Sequence, residues 1–188
     1  MLKKLSAWLY SVSTGRLALI STVIMLLFLI LVMPGQTAKA AVYSAGVGTP
    51  DTTVFYSASD LRQMAETYGE QGRQAYIQAR FTFDLAFPLV YTFFLAVCTS
   101  WMLGRLLPLS SMLRLLNLLP LAAMLLDFLE NICAALVMAA YPASRPLAAH
   151  FAVIFTPLKW LLVSAAFLLL IGISLLAGFR SIRERKNY

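Results

Sequence analysis

Residues 115–142, reading LLNLLPLAAMLLDFLENICAALVMAAYP, decide how the rest of the chain is understood. As far as Ala140 the stretch is apolar for longer than the about 20 residues that carry an α-helix across a bilayer. Asp127, Glu130 and Asn131 interrupt it at i, i+3 and i+4, so all three project from one stripe of a helix. Charge at bilayer depth is costly, and such residues turn toward a bundle interior and pair with one another. The stretch therefore predicts a membrane-spanning helix whose polar stripe faces other helices.

Composition agrees. Of 188 residues, 61% are hydrophobic and 12% charged, with a mean hydropathy of +0.80. A soluble domain is about 45–50% apolar and about 25% charged. The excess cannot be buried in a water-soluble core of this length. The net charge is +7, but basic and aromatic residues do not interleave along a polar segment, so no nucleic-acid partner is expected. The expected partner is the bilayer itself.

Three further segments are apolar enough to cross it, at about 17–33, 81–103 and 151–179, beside the one at 115–140. With both termini inside, the inner side holds Lys3, Lys4, Arg16, Arg105, Arg114, Arg180, Arg183, Arg185 and Lys186. The outer side holds only Lys39, Arg62, Arg73, Arg80 and Arg145. The excess of inner Lys and Arg favours this orientation, with both termini cytoplasmic. Basic residues, an apolar run and then Ala38-Lys39-Ala40 also resemble a secretory signal with a cleavage site after Ala40. That apolar run is longer than a signal's usual core, so an uncleaved first helix is expected. The chain thus reads as one all-α integral membrane domain, residues 1–188, built as a four-transmembrane-helix bundle.

An outer segment, residues 34–80, separates the first two spans. Its first half is small and polar, with a short strand expected at residues 52–56. Its second half carries helix signals. Ser57 and Asp60 form a capping box, and Leu61, Met64, Ala65 and Tyr68 follow at helical spacing. This predicts an amphipathic helix on the outer side, weakened at Gly69 and Gly72, then a helix entering the second span.

In the second span Arg80, Asp84, Pro88 and Tyr91 recur at steps of four, four and three, and so share a face. Pro88 frees the Asp84 carbonyl from its helical partner. Asp84 is expected nearer the outer surface than Asp127, by about 10–15 Å on the helical rise. Glu130 precedes Tyr141 by eleven residues, and Lys159 follows Ala149 by ten, which places both roughly 15 Å deep. Because a short loop joins their spans, the helices are antiparallel neighbours and a Glu130–Lys159 ion pair is expected. The candidate pocket thus comprises Arg80, Asp84, Tyr91, Asp127, Glu130, Asn131 and Lys159. Asp127, Glu130 and Lys159 are its candidate catalytic groups.

Other chemistry is poorly supported. Cys98 and Cys133 belong to no C-x-x-C pair and read as packing residues. His150 is the only histidine, so haem ligation and a His-plus-carboxylate metal site lack ligands at suitable spacing. No phosphate loop is present. No metal or cofactor is expected.

Three strings resemble a pattern in a family of small uncharacterised bacterial four-span membrane proteins. They are Gly69-Glu70-Gln71-Gly72-Arg73; Asp84, Pro88 and Tyr91 at their spacing; and Asp127, Glu130 and Asn131 followed by Tyr141-Pro142. The resemblance covers roughly residues 57–159. It implies a bacterial cytoplasmic membrane and carries no activity with it. Three functions then stand side by side. Apolar walls with a few convergent polar groups suit a small amphipathic or lipid-like ligand. An enzyme acting on a lipid head group would use Asp127 or Glu130 as acid–base, with Lys159 holding an anion. Buried charges that only fix helix packing would mark a structural or assembly subunit, and a homo-oligomer is compatible with each.

Overall fold

The computed structural model describes residues 1–186, with side chains as far as Arg180. Arg183, Arg185 and Lys186, counted above on the inner side, therefore lie outside the described side chains. The elements are α1 (Leu2–Val12), α2 (Gly15–Leu27), α3 (Met33–Tyr43), α4 (Ala58–Thr67), α5 (Gly69–Arg80), α6 (Phe83–Leu106), α7 (Leu119–Ala140) and α8 (Pro146–Lys186). No strand occurs among the described residues. Among the described residues, four stretches are long and apolar enough to cross a membrane: Gly15–Tyr43, Gly69–Leu106, Met112–Ala140 and Pro146–Arg180. The chain is an all-α, four-helix integral membrane bundle. Its α6 packs against α2, α7 and α8, and α7 packs along α8.

The first span runs beyond residue 33, through a π-turn at Phe28–Val32 and on to Tyr43. Pro34 explains the wide turn. Proline has no N–H, and its ring crowds the carbonyl four residues back, here that of Ile30. Opening the helix by one residue relieves both. The shortest of the four stretches has 29 residues, about 43 Å of helix, against a hydrocarbon core of about 30 Å. The ends therefore rise past the acyl tails. The flanks present an apolar belt to the surroundings, with Leu31 71% and Leu168 68% exposed. A bilayer covers such a belt.

At one end, termed the cap end, α4 and α5 close over the bundle. The Ser57–Asp60 capping box forms as its residues predict, with Asp60 accepting from the Ser57 amide at 2.8 Å. Leu61, Ala65 and Tyr68 turn inward and are buried, so α4 packs on α7 and α8 through its apolar face. Arg62 and Arg73 lie over the Tyr141 ring at 5.6 and 4.7 Å. Arg62 also donates to the Pro142 carbonyl at 2.9 Å, which ties the cap to the α7–α8 turn.

Two expectations for this segment are corrected. Residues 52–56 form no strand; Pro50–Thr52 is a 3-10 turn followed by irregular chain. Thr49 and Thr52 close that turn with a capping box, and among the described residues no neighbouring strand exists to satisfy extended backbone. Gly69, at φ +63, makes the bend between α4 and α5. Gly72, by contrast, does not weaken α5. A Cβ there would collide with the Tyr43 carbonyl oxygen, so the glycine lets α3 and α5 touch.

The opposite, basic end is closed by α1, whose docking the sequence did not reveal. Asn117, fully buried, accepts from the Ser6 hydroxyl at 2.8 Å. Its amide donates to the Ser6 carbonyl and to Ser100 Oγ at 3.2 and 3.0 Å. Tyr10 donates to the Arg114 carbonyl at 2.7 Å.

Candidate functional site

Two hydrophobic clusters fill the bundle. One holds Tyr91, Ala123 and Ala166; the other, under the cap, holds Tyr56, Tyr76, Ala134 and Ala152. Between them, along each helix, lie the polar residues singled out in the sequence. Arg80 and Asp84 fall between Tyr76 and Tyr91, Asp127 to Asn131 between Ala123 and Ala134, and Lys159, with Thr156 a turn before it, between Ala152 and Ala166. Small residues at the α7–α8 contact, Ala134 and Ala152, are fully buried and let the backbones approach.

All seven candidate residues converge. Lys159 Nζ is ion-paired with Glu130 Oε2 and lies 3.6 Å from Asp127 Oδ1, so the expected pair across α7 and α8 exists. Arg80 and Asp84 pair at 2.7 Å within one helical turn. Asn131 links the two halves. Its amide donates to the Asp84 carbonyl at 3.3 Å and to Asp127 at 3.2 Å, and its oxygen accepts from Arg80 at 3.2 Å. Tyr91 donates to Asp127 Oδ2 at 3.1 Å. One amide nitrogen thus reaches both Asp84 and Asp127, which corrects the expected offset between them. The helix enters the bundle already at α5, not at Phe81, so Asp84 sits deeper than a span beginning at residue 81 implies.

Sequence reading missed the residue at the centre. Asp51, in the 3-10 turn after α3, pairs with Arg80 and bonds Lys159 at 3.1 Å. Trp160 donates its indole N–H to the Asp51 carbonyl at 2.9 Å, fixing the turn against α8. The only local signal was an acid following Pro50 in a polar loop, a turn signature and nothing more. Thr156 and Tyr56 were missed as well. Thr156 donates to Glu130 Oε1 at 2.8 Å, and its oxygen lies 2.8 Å from the Tyr56 hydroxyl. Burial pushes the Tyr56 phenol well above its usual range, against the opposing pull of the Thr156 bond. The phenol therefore stays protonated and can donate to Thr156, giving a hydroxyl chain that ends on Glu130.

Asp51 changes the charge count. Three acids against two bases become four, and the cluster is formally −2 when all are ionised. Carboxylate oxygens of Asp51, Asp127 and Glu130 lie within 4.8 Å of one another, a separation that a metal ion could bridge. Lys159 Nζ contacts all three and is their cation. His150 Nδ1 lies 2.6 Å from the Pro146 carbonyl on the exposed first turn of α8, where it serves that helix start.

Among the described residues, two buried groups lack a partner here: the Tyr76 hydroxyl and Arg80 Nε. The Arg80 guanidinium stacks 4.5 Å over the Tyr76 ring. Beyond this pair an apolar cleft of about 590 Å³ opens between α3 and α5, with Lys39, Val42, Tyr43, Ala79 and Thr82 among its walls. Tyr43 stands edge-on to Tyr76, ring centroids 6.0 Å apart. Comparison with known protein families, with curated proteins and with solved structures gives no match.

Proposed function

We propose that the chain is a membrane binding protein for an amphipathic, lipid-like molecule with an anionic head group, held closed by Asp51. The observation that carries this reading is the position of Asp51 between Arg80 and Lys159. Three helix-borne acids already outnumber the two cations, so charge balance does not call for a fourth. A loop carboxylate that engages both cations is where the carboxylate or phosphate of a ligand would bind. Replacing one monoanion by another leaves the charge of the cluster unchanged, so the exchange avoids a large electrostatic penalty. The orphaned Tyr76 hydroxyl and Arg80 Nε supply two more donors for an incoming acceptor. The α3–α5 cleft offers an apolar wall for a tail. In this reading the cap end faces outward from a bacterial cytoplasmic membrane, and both termini face the cytoplasm.

A different observation favours an architectural lock: all six charged side chains are paired, and neither cleft described for this chain is lined by a cluster carboxylate. A lipid-modifying enzyme has the weakest support. Its acid–base candidates are engaged by Lys159, Thr156, Tyr91 and Asn131.

Native mass spectrometry of detergent-extracted protein separates the readings. Asp51→Asn removes the carboxylate seated between Arg80 and Lys159 while their helix-borne pairs remain, and is expected to retain an anionic amphiphile several-fold more than wild type, while Lys159→Gln loses it. Identical spectra from all three proteins would leave only the lock.

A further inference from the structure

The basic end carries a second site, independent of the ionic cluster. Lys3, Lys4, Arg16, Arg105 and Arg114 gather there, and none makes an ion pair among the described residues. The described carboxylates, Asp51, Asp60, Glu66, Glu70, Asp84, Asp127 and Glu130, belong to the cap segment or to the ionic cluster. The remaining acid, Glu184, lies outside the described side chains. Five cations without a described counter-ion call for one from outside the chain.

Between α1 and the 3-10 helix Met112–Leu118 lies a cleft of about 620 Å³. Lys3 and Arg114 supply its charge, and Ser11, Ser110 and Ser111 line it with hydroxyls. Arg114 is held over the Tyr10 ring at 3.8 Å and donates to the Leu107 carbonyl at 3.2 Å. Its remaining N–H groups have no described partner and suit a phosphate oxygen. Leu109 and Met112 give the cleft an exposed apolar rim, Leu109 by 89%, and α1 itself exposes Leu2 and Trp8. Such an amphipathic helix lies in a membrane interface, with its apolar rim in the acyl boundary and its cations at head-group level. Basic clefts at the ends of membrane helices bind phosphorylated head groups.

We infer that this cleft seats the head group of an anionic phospholipid from the adjoining leaflet, with Lys3 and Arg114 on the phosphate and the rim on its acyl chains. Charge complementarity singles out this occupant, and the rim requires that it come with tails.

The test compares the full chain in nanodiscs of phosphatidylcholine alone with nanodiscs containing phosphatidylglycerol, then counts lipids retained on release by native mass spectrometry. Wild type is expected to keep phosphatidylglycerol selectively. Lys3→Gln, on the exposed face of α1, is expected to weaken that retention about fivefold, and Lys3→Gln with Arg114→Gln more strongly. If the double variant misfolds, Lys3→Glu alone must still abolish the preference. Equal retention of both lipids by wild type overturns the inference, as does a preference that survives Lys3→Glu. Free glycerol phosphate displacing the lipid at equal concentration would overturn the lipid as the source. The loss caused by Lys3→Gln should be the same on an Asp51→Asn background, where the cap-end site alone gains retention, so the two sites fail separately.

Discussion

Lys159 on α8 bonds Asp51, 108 residues earlier in the chain, at 3.1 Å. The contact joins a loop to a membrane helix through a carboxylate that also holds Arg80. Asp51→Ala is expected to release residues 44–57 while the bundle stays folded, because Lys159 keeps Glu130 and Asp127. Losing hydrogen bonds to charged groups costs about 1.5–3 kcal/mol each, enough to raise amide exchange in that loop at least tenfold. Unchanged protection there would show that the loop is held by other contacts.

The Glu130–Lys159 pair should behave differently. Glu130 is only 1% exposed, and removing one partner leaves a buried charge uncompensated, at about 3–5 kcal/mol. That scale, and not the roughly 0.6 kcal/mol of an average polar contact in a membrane, applies when charge is stranded. Lys159→Met should therefore destabilise strongly. Lys159→Met with Glu130→Leu should recover much of the loss, as measured by unfolding in mixed micelles. A double variant no better than the single would place the cost in packing.

What the sequence disclosed follows from how periodicity works. Spacing within one helix is local, so the stripe of Asp127, Glu130 and Asn131, the shared face of Arg80, Asp84 and Tyr91, and the Ser57–Asp60 box were legible. Antiparallel neighbours joined by a short loop made Glu130–Lys159 legible as well. Asp51 was not, since a loop's landing place is set by long-range closure that no period encodes. The Thr156–Tyr56 chain and the Asn117 seat of α1 were hidden for the same reason. The depth of Asp84 was misjudged because hydropathy marks where apolar residues begin, and the polar turns of α5 already lie inside the bundle.

Gly72 offers a packing test. Gly72→Ala inserts a methyl against the Tyr43 carbonyl and should destabilise by about 1–3 kcal/mol through forced backbone shifts. Gly35, inside α3 with open space where a methyl group would stand, is the control: alanine there should be neutral or stabilise by about 0.5–1 kcal/mol. Thermal unfolding of both variants checks the contrast, which vanishes if α3 and α5 do not touch.

The cap has a pH dependence of defined sign. The Ser57 backbone and hydroxyl bonds hold the Asp60 carboxyl below its usual 3.8. Because the folded value is the lower one, the capping contribution is present above about 3.8 and is lost as pH falls through the folded value. NMR titration should place the Asp60 midpoint below 3.8, and Asp60→Asn should remove the acid-induced loss of α4 protection. A midpoint at or above 3.8 would show that the box is open in solution.

The most direct measurement is a double-mutant cycle between Asp51→Asn and Lys159→Gln, read as unfolding free energy in a lipid-like detergent. A loop carboxylate seated on the helix-borne ammonium predicts a coupling of about 0.5–3 kcal/mol. Additivity within about 0.3 kcal/mol would mean the two residues do not meet, and would contradict the closed cluster outright.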